Sequence, residues 1–387
     1  LFISKVYVTL IRELVEKKAG IKGANIMVSC THTHSGPIVY ETLERGDRKD
    51  IPAENEYSID ISHRIADAIC EAKADAFDGY FASGITVCGA ESGVGGNRRF
   101  RGGPHDPLVT VMAIKDTADK VRGALVNYTL HPTFIHEWTE VCTADYPCYL
   151  KLEIEESIPG ILAGFTQGAS GNQSSRYYRS GESFDEAERV GRTLGKAAVS
   201  VIESLEWKSD IDIKVATSGI PMEFRNMGTE QELEIQVAKD TAVYKELYAK
   251  YGNSTNRDEY YLWQNANLKC LGSEDRLELI RVMNTDLWKN YVERESPAEI
   301  HAIALDDLCV VGVPGEVFVE YALYIKAMAG FAKVIVNTNT NGCLPGYLYT
   351  PESLLTGGYE TDNSVLSEEF GQNLVNEAIR TIKTIRK

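Results

Sequence analysis

Apolar runs of strand length alternate with amphipathic helical stripes along nearly the whole chain, and that alternation leaves few folds open. Val8, Ile11, Leu14 and Val15 share one helical face, and Gly20 stands where that helix should stop. Asn25–Cys30 reads as a buried strand, and Ile61, Ile65 and Ile69 mark a second helix. Strand-like runs follow at Ile85–Val87, Leu108–Ile114 and Ala124–Leu130. Ser183, with Glu186 three residues on, opens a helix carrying Val190, Leu194, Val201 and Leu205. Later strands are expected near Ile211–Ala216, Ile300–Ala304, Leu308–Val313 and Val334–Asn337, and a last helix from about Leu366 to Lys387. The expected fold class is α/β, with mixed β-sheets flanked by helices. No repeat with a period of about 20–50 residues is visible. No Pro/Gly/Ser linker divides the chain, so one large domain over residues 1–387 is expected. From Thr229 to about Glu295 the texture turns charged, Tyr-rich and helical, and we read residues 229–295 as a helical insertion or lid.

Charge narrows the partners. The chain carries 40 Lys and Arg against 56 Asp and Glu, a net charge of −16. Nucleic acid and anionic membrane surfaces select basic patches, so neither is expected as a partner. No uncharged apolar stretch approaches the ~18 residues of a transmembrane segment. The eight Cys form no CxxC pair, and several sit in apolar runs such as Leu308–Val313. They read as buried free thiols in a reducing compartment, so a cytoplasmic location is expected. A small-molecule or N-acyl lipid substrate is the expected partner, and homo-oligomerisation stays open.

The histidines stand at strand ends. Thr31-His32-Thr33-His34-Ser35-Gly36-Pro37 directly follows the first strand-like run. In extended chain, positions i and i+2 face one side, so His32 and His34 should project together. His131-Pro132-Thr133 closes the run Ala124–Leu130, and His136 is expected in the loop beyond it without a metal role. Glu316, in Val313-Pro314-Gly315-Glu316, closes Leu308–Val313. Histidines from separate strands with one carboxylate suit zinc and leave a position open for water. Asp145 is a further carboxylate, expected to support a ligand and not to bind metal itself. The small-residue loop Gln167–Ser175 suits an oxyanion hole or a turn carrying a Ser nucleophile, and serves equally as a surface loop. Arg98, Arg99 and Arg101 lie on the Gly-rich stretch Gly93–Gly103. Arg98 is the expected clamp, while a solvated loop suits Arg99 and Arg101 as well.

Taken in order, these pieces resemble the catalytic domain of the neutral ceramidase family. The shared features are THTHSGP, an Asn-Arg pair in a Gly-rich loop, HPT, a Gly-rich loop with Ser, PGE, and a late Tyr followed by Tyr-Glu. They span residues 31 to 360. The resemblance implies a zinc-dependent amidase that cuts the N-acyl bond of ceramide. It implies Zn2+ held by His32, His131, Glu316 and Tyr347, with Tyr347 chosen because Tyr359-Glu360 follows twelve residues later. His34 and Arg98 match residues that contact substrate or support the active site. The family's nucleophilic Ser lies in a Gly-Asp-Val-Ser-Pro loop that aligns with Gly171–Ser175, which makes Ser174 the implied nucleophile. Asn172 stands where that loop has its acid, and Ser175 where it has Pro.

The resulting expectation is hydrolysis of a linear amide through zinc-activated water, by direct attack or through an acyl-enzyme on Ser174. His34, Arg98 and the N–H groups of Gly168–Gly171 are the expected oxyanion donors. Two other readings stay open. One is a zinc hydrolase for a small polar amide or ester, and the other a non-catalytic metal- or ligand-binding protein on the same scaffold. A long apolar tunnel beside the site would favour a fatty acyl chain, and a short pocket with paired Arg or Asp a polar metabolite.

Overall fold

A computed structural model of the chain describes residues 1–40, 43, 55–135 and 139–386. Helix α1 (Lys5–Ala19) ends at Gly20, whose φ of 68° is the left-handed stop that glycine allows. Helix α2 (Glu56–Ala74) starts at Asn55, whose side chain accepts the Ser58 N–H.

Two four-stranded sheets follow, built by the same succession of elements. The first half runs through β1 (Gly79–Val87), β2 (Gly96–Asn97), β3 (Leu108–Asp116), β4 (Val121–Tyr128), α3 (Tyr146–Ser157), β5 (Leu162–Gln167), β6 (Gln173–Ser174) and α4 (Phe184–Glu203). Its sheet has the order β1-β3-β4-β5. The first two pairings are antiparallel, and β4–β5 is parallel, with α3 as the crossover that a parallel pair requires. The second half opens with β7 (Ile213–Ile220) and three helices, α5 (Glu230–Tyr251), α6 (Arg257–Met283) and α7 (Asp286–Glu295). It continues through β8 (Ala298–Leu305), β9 (Leu308–Gly312), β10 (Glu316–Val317), α8 (Val319–Ala329), β11 (Lys333–Asn337) and β12 (Tyr347–Leu348). It closes with α9 (Pro351–Thr356), α10 (Tyr359–Asp362) and α11 (Glu368–Ile385). Here β7-β8-β9 are antiparallel neighbours, and β9–β11 is parallel across α8.

Strand alternation then sorts the core. Val109, Val111 and Ala113 of β3 face α3 and α4, while Met112 points the other way. Cys309 and Val311 of β9 face α8 and α11, while Leu308 and Val310 meet Phe81 and Met112 of the first sheet. The sheets therefore pack against each other inside two outer helical layers, which is the expected α/β class with mixed sheets flanked by helices. Helices α5 and α6 pack along one another outside these layers. Helix α5 begins with a complete capping box between Thr229 and Glu232.

Asn25–Cys30 departs from expectation, since only Ser29 makes a β-bridge, to Thr340. The facing residues Asn339 and Asn341 have φ of 55°, which breaks a regular ladder, and the Asn341 side chain takes the Val28 N–H instead. All eight cysteines are free. Among the described residues no helix is long and apolar enough to cross a membrane.

Candidate metal centre

Strands β4 and β9 are, in chain order, the third strands of their four-stranded sheets, and each delivers one side chain to a common point. Chain leaving β4 at Tyr128 supplies His131, and chain leaving β9 at Gly312 supplies Glu316 at the start of β10. His32 arrives from the N-terminal segment. His32 Nε2 lies 3.1 Å from His131 Nε2 and 3.3 Å from Glu316 Oε2, and His131 Nε2 lies 3.1 Å from that same oxygen. Both imidazoles are buried, 1% and 0% exposed, so water does not separate the three atoms.

The protons can be placed by elimination. His131 Nδ1 faces the Ser170 carbonyl at 2.7 Å, and His32 Nδ1 faces the Leu1 carbonyl at 3.3 Å. A carbonyl only accepts, so each Nδ1 carries the hydrogen and each Nε2 presents a lone pair. Glu316 Oε2 is itself buried without a hydrogen-bond donor. Three electron-rich atoms thus face one another at 3.1–3.3 Å, an arrangement that a metal cation between them, or an added imidazole proton, relieves. Zinc fits this triangle: donors ~2.0–2.1 Å from a tetrahedral centre are separated by roughly 3.3 Å.

Burial pushes the Glu316 carboxyl up, but His32 and His131 outweigh it and hold it well below the usual carboxylate range. Burial, with the nearby Arg98 guanidinium, pulls His131 down to about 4 despite Glu316. His131 is therefore neutral at neutral pH.

Tyr347 reaches the site through the sheet register. Strands β10 and β12 pair in parallel with Glu316 opposite Tyr347, so the two side chains share a face. Burial and the Glu316 charge raise the Tyr347 hydroxyl well above 10, against the pull of Arg98, so it is a phenol without a cation. His34 packs edge-on to His32 with ring centroids 5.1 Å apart, yet it is exposed on its outer side. Its ring nitrogen lies within 4.8 Å of those of His32 and His131, which makes a looser triad than the one completed by Glu316. The two histidines meet through a left-handed turn, since His32 has φ of 65°, and not through the extended chain expected.

Arg98 lies over the Tyr347 ring, 5.5 Å from its centroid, and its Nη1 is 3.5 Å from His131 Nδ1. Its Nε donates to Glu360 at 2.7 Å, while Nη2 is buried with no partner among the described residues. Arg99, expected to suit a solvated loop, instead donates to Glu360 at 2.8 Å and to the Gly357 carbonyl at 2.6 Å. Glu360 clamps both guanidinia, a role that its sequence position gave no reason to expect. Asp145 accepts the Phe134 and Ile135 N–H groups at 2.9 and 2.8 Å, fixing the loop just after His131. The Ser35 hydroxyl donates to the Ile135 carbonyl at 2.8 Å, tying the two histidine loops together. His136 lies outside the described residues. His301, without spacing support in the sequence, is fully buried beside Asn341.

The Gly168–Ser175 loop packs against His131 and Glu316. Gly168 N–H donates to the Tyr128 carbonyl and Gly171 N–H to that of Val317, so these two expected oxyanion donors are already engaged. Ser170 holds His131, and Asn172 accepts the Val319 N–H at the start of α8. Ser174 pairs with Gly96 between β6 and β2, and its Oγ accepts the Arg176 N–H at 3.2 Å. Gly171 sets the approach: a Cβ there would lie 2.8 Å from the Glu316 carbonyl oxygen and 2.9 Å from two Val317 backbone atoms. Gly171→Ala should therefore displace Glu316, and we expect zinc affinity in a competitive chelator titration to fall about 10–100-fold. Unchanged affinity would mean that the loop does not position Glu316.

No protein-family model matches the chain, and no curated protein sequence matches it. Among solved structures, the neutral ceramidase from Pseudomonas aeruginosa superimposes on the whole chain with a TM-score of 0.68 at 16% identity. A ceramidase complexed with C2 does so with a TM-score of 0.65 at 15% identity. The chain spans 65% and 66% of those two proteins. At these identities the likeness is one of fold, and the fold is ceramidase-like.

Proposed function

We propose that this protein is a zinc-dependent hydrolase of linear amides, cleaving an N-acyl bond as the ceramidases of like fold cleave ceramide. The observation that carries the reading is the buried triangle of His32, His131 and Glu316, whose three lone-pair atoms call for a cation. Tyr347 is the fourth candidate ligand. Bound zinc supplies Lewis acidity, polarising the scissile carbonyl and lowering the pKa of water toward ~7.

The chain's own groups supply the rest. The Ser170 and Leu1 carbonyls hold the two imidazoles in the tautomer that offers Nε2. Glu360 orients Arg98, whose unpartnered Nη2 is a preorganised donor for the oxyanion that develops at the acyl carbon. His34, edge-on to His32 and exposed on its outer side, meets substrate at the mouth as a hydrogen-bonding group. Ser174 attacks the acyl carbon and takes the acyl group. The C–N bond breaks, the amine leaves with the proton that Ser174 gives up, and water then adds to the ester, releasing the acid and returning a proton to Ser174.

The test is metal analysis joined to an assay. Purified protein should hold one zinc per chain and release equimolar amine and acid from members of an N-acyl amide panel. Chelation should stop turnover, and zinc should restore it. Stoichiometric zinc with no hydrolysis across the panel would leave a metal-binding protein on a hydrolase scaffold.

A further inference from the structure

A cavity of about 640 Å³ lies between the Arg98–Phe100 loop, helices α5 and α6, and the 356–362 segment. It borders the candidate metal centre at Arg98, which lines the cavity and also stands beside His131. Its lining holds five cations, Arg98, Arg99, Arg176, Lys269 and Arg276, against three carboxylates, Asp240, Glu360 and Asp362. In a chain with a net charge of −16, that local excess needs an explanation.

The pairing shows which cation is left over. Glu360 serves both Arg98 and Arg99. Asp362 lies 3.8 Å from Arg276, which also donates to the Met227 carbonyl, and Asp240 lies 3.5 Å from Lys269. Arg176 pairs with no carboxylate among the described residues, and its guanidinium reaches only Asn265 Oδ1, at 3.4 Å. Its backbone N–H donates to Ser174 Oγ, so this cation sits two residues from the candidate nucleophile. An alkyl chain laid here would strip water from an unneutralised guanidinium and return nothing for it. A planar or tetrahedral oxyanion would complete its hydrogen bonds.

We infer that this cavity binds an anionic group of the substrate, a carboxylate or a phosphate, with Arg176 as its anchor. Calling the bound molecule a substrate rests on the hydrolase reading above; the anion site itself does not. The ligand class is then a polar N-acyl compound carrying an anion, and not a neutral lipid amide.

The acetyl derivatives of β-alanine, phosphoethanolamine and ethanolamine make a matched test, ending in carboxylate, phosphate and hydroxyl. Calorimetric titration into the zinc-chelated protein reads binding without turnover. The carboxylate or the phosphate compound should bind at least tenfold tighter than the hydroxyl compound, and whichever binds tighter names the anion. Arg176→Gln should reduce that preference about 10–100-fold, the usual range for a charge-assisted hydrogen bond. Arg176→Lys, which keeps the charge, should retain part of it, and thermal melts of both variants report folding. Equal binding of all three compounds, or a preference untouched in a folded Arg176→Gln, would overturn the anion site. Arg176-dependent binding with no hydrolysis by the zinc-loaded protein would instead sink the hydrolase reading and leave the anion site standing. Should Arg176→Gln not fold, the wild-type order of the three compounds decides the question alone.

Discussion

Glu316→Gln should raise the melting temperature of the metal-free protein and, at the same time, remove both zinc-dependent stabilisation and turnover. The opposite signs follow from the lone pairs. The Leu1 and Ser170 carbonyls leave the Nε2 atoms of His32 and His131 as acceptors, and Glu316, held well below the usual carboxylate range, is charged at pH 8. Without a cation, the carboxylate faces two acceptors at 3.1 and 3.3 Å. Relieving such an unmatched buried polar group is worth about 1–3 kcal/mol. The glutamine amide removes the charge and donates an N–H to one of the nitrogens, so the apo melt should rise by a few degrees. With zinc present the order reverses, because the amide contributes no charge to the metal. Turnover should fall by about 10³ or more, the equivalent of the several kcal/mol that a metal supplies at a carbonyl. Differential scanning calorimetry with and without zinc reads both signs. A variant less stable than wild type in the absence of metal would mean that the triangle is held by ordinary hydrogen bonds and was not built around a cation.

The sequence made the strands legible and left their convergence hidden. Runs such as Leu108–Ile114 and Leu308–Val313 have strand length and β-branched composition, so local physics assigns them. The spacing of His131 and Glu316 just past such runs identifies them as strand-end residues. Nothing local says that β4 and β9 are equivalent strands of two halves sharing one element order, since residues differ where topology repeats. Tyr347 illustrates the limit: it faces the site because two-residue strands pair Glu316 with it across thirty residues of chain. Arg98 is read as a clamp from its Gly-rich loop alone, and Glu360, which accepts from it, lies 262 positions away. Helix α8 went unread because Tyr321, Ala322, Ile325 and Ala329 are all buried, and a helix apolar on most sides has little periodicity. Asn25–Cys30 failed for the reverse reason, an apolar strand-like run whose neighbour turns left-handed. Arg99 looked solvated because the carboxylate that pairs with it is equally distant in sequence.

Ser174→Ala should abolish turnover while leaving zinc content and fold intact, and it is the variant that separates the two chemical routes. Ser174 is buried in the short β2–β6 pairing, one strand position from Gln173, whose carbonyl accepts the His131 N–H. The backbone hydrogen bonds that fix His131 thus also fix Ser174. Its Oγ accepts the Arg176 N–H, and no described side chain accepts its proton, so no histidine or carboxylate acts on it as a resident base. Were zinc held by His32, His131 and Glu316, the hydroxide it would supply is the base left for Ser174. If Ser174 carries the acyl group, removing it leaves only binding and the oxyanion donors, and the loss should be about 10⁴-fold or more. Ser175→Ala is the matched control: Ser175 is fully buried, its hydroxyl has no partner, and it differs from Ser174 by one position in the same loop. Burst kinetics with an activated ester should show stoichiometric acyl-enzyme in the wild type and in Ser175→Ala, and none in Ser174→Ala. Near-normal steady-state turnover in Ser174→Ala would leave direct attack by activated water as the route, with Ser174 holding substrate. A burst lost in Ser175→Ala but kept in Ser174→Ala would shift the nucleophile by one residue along the loop.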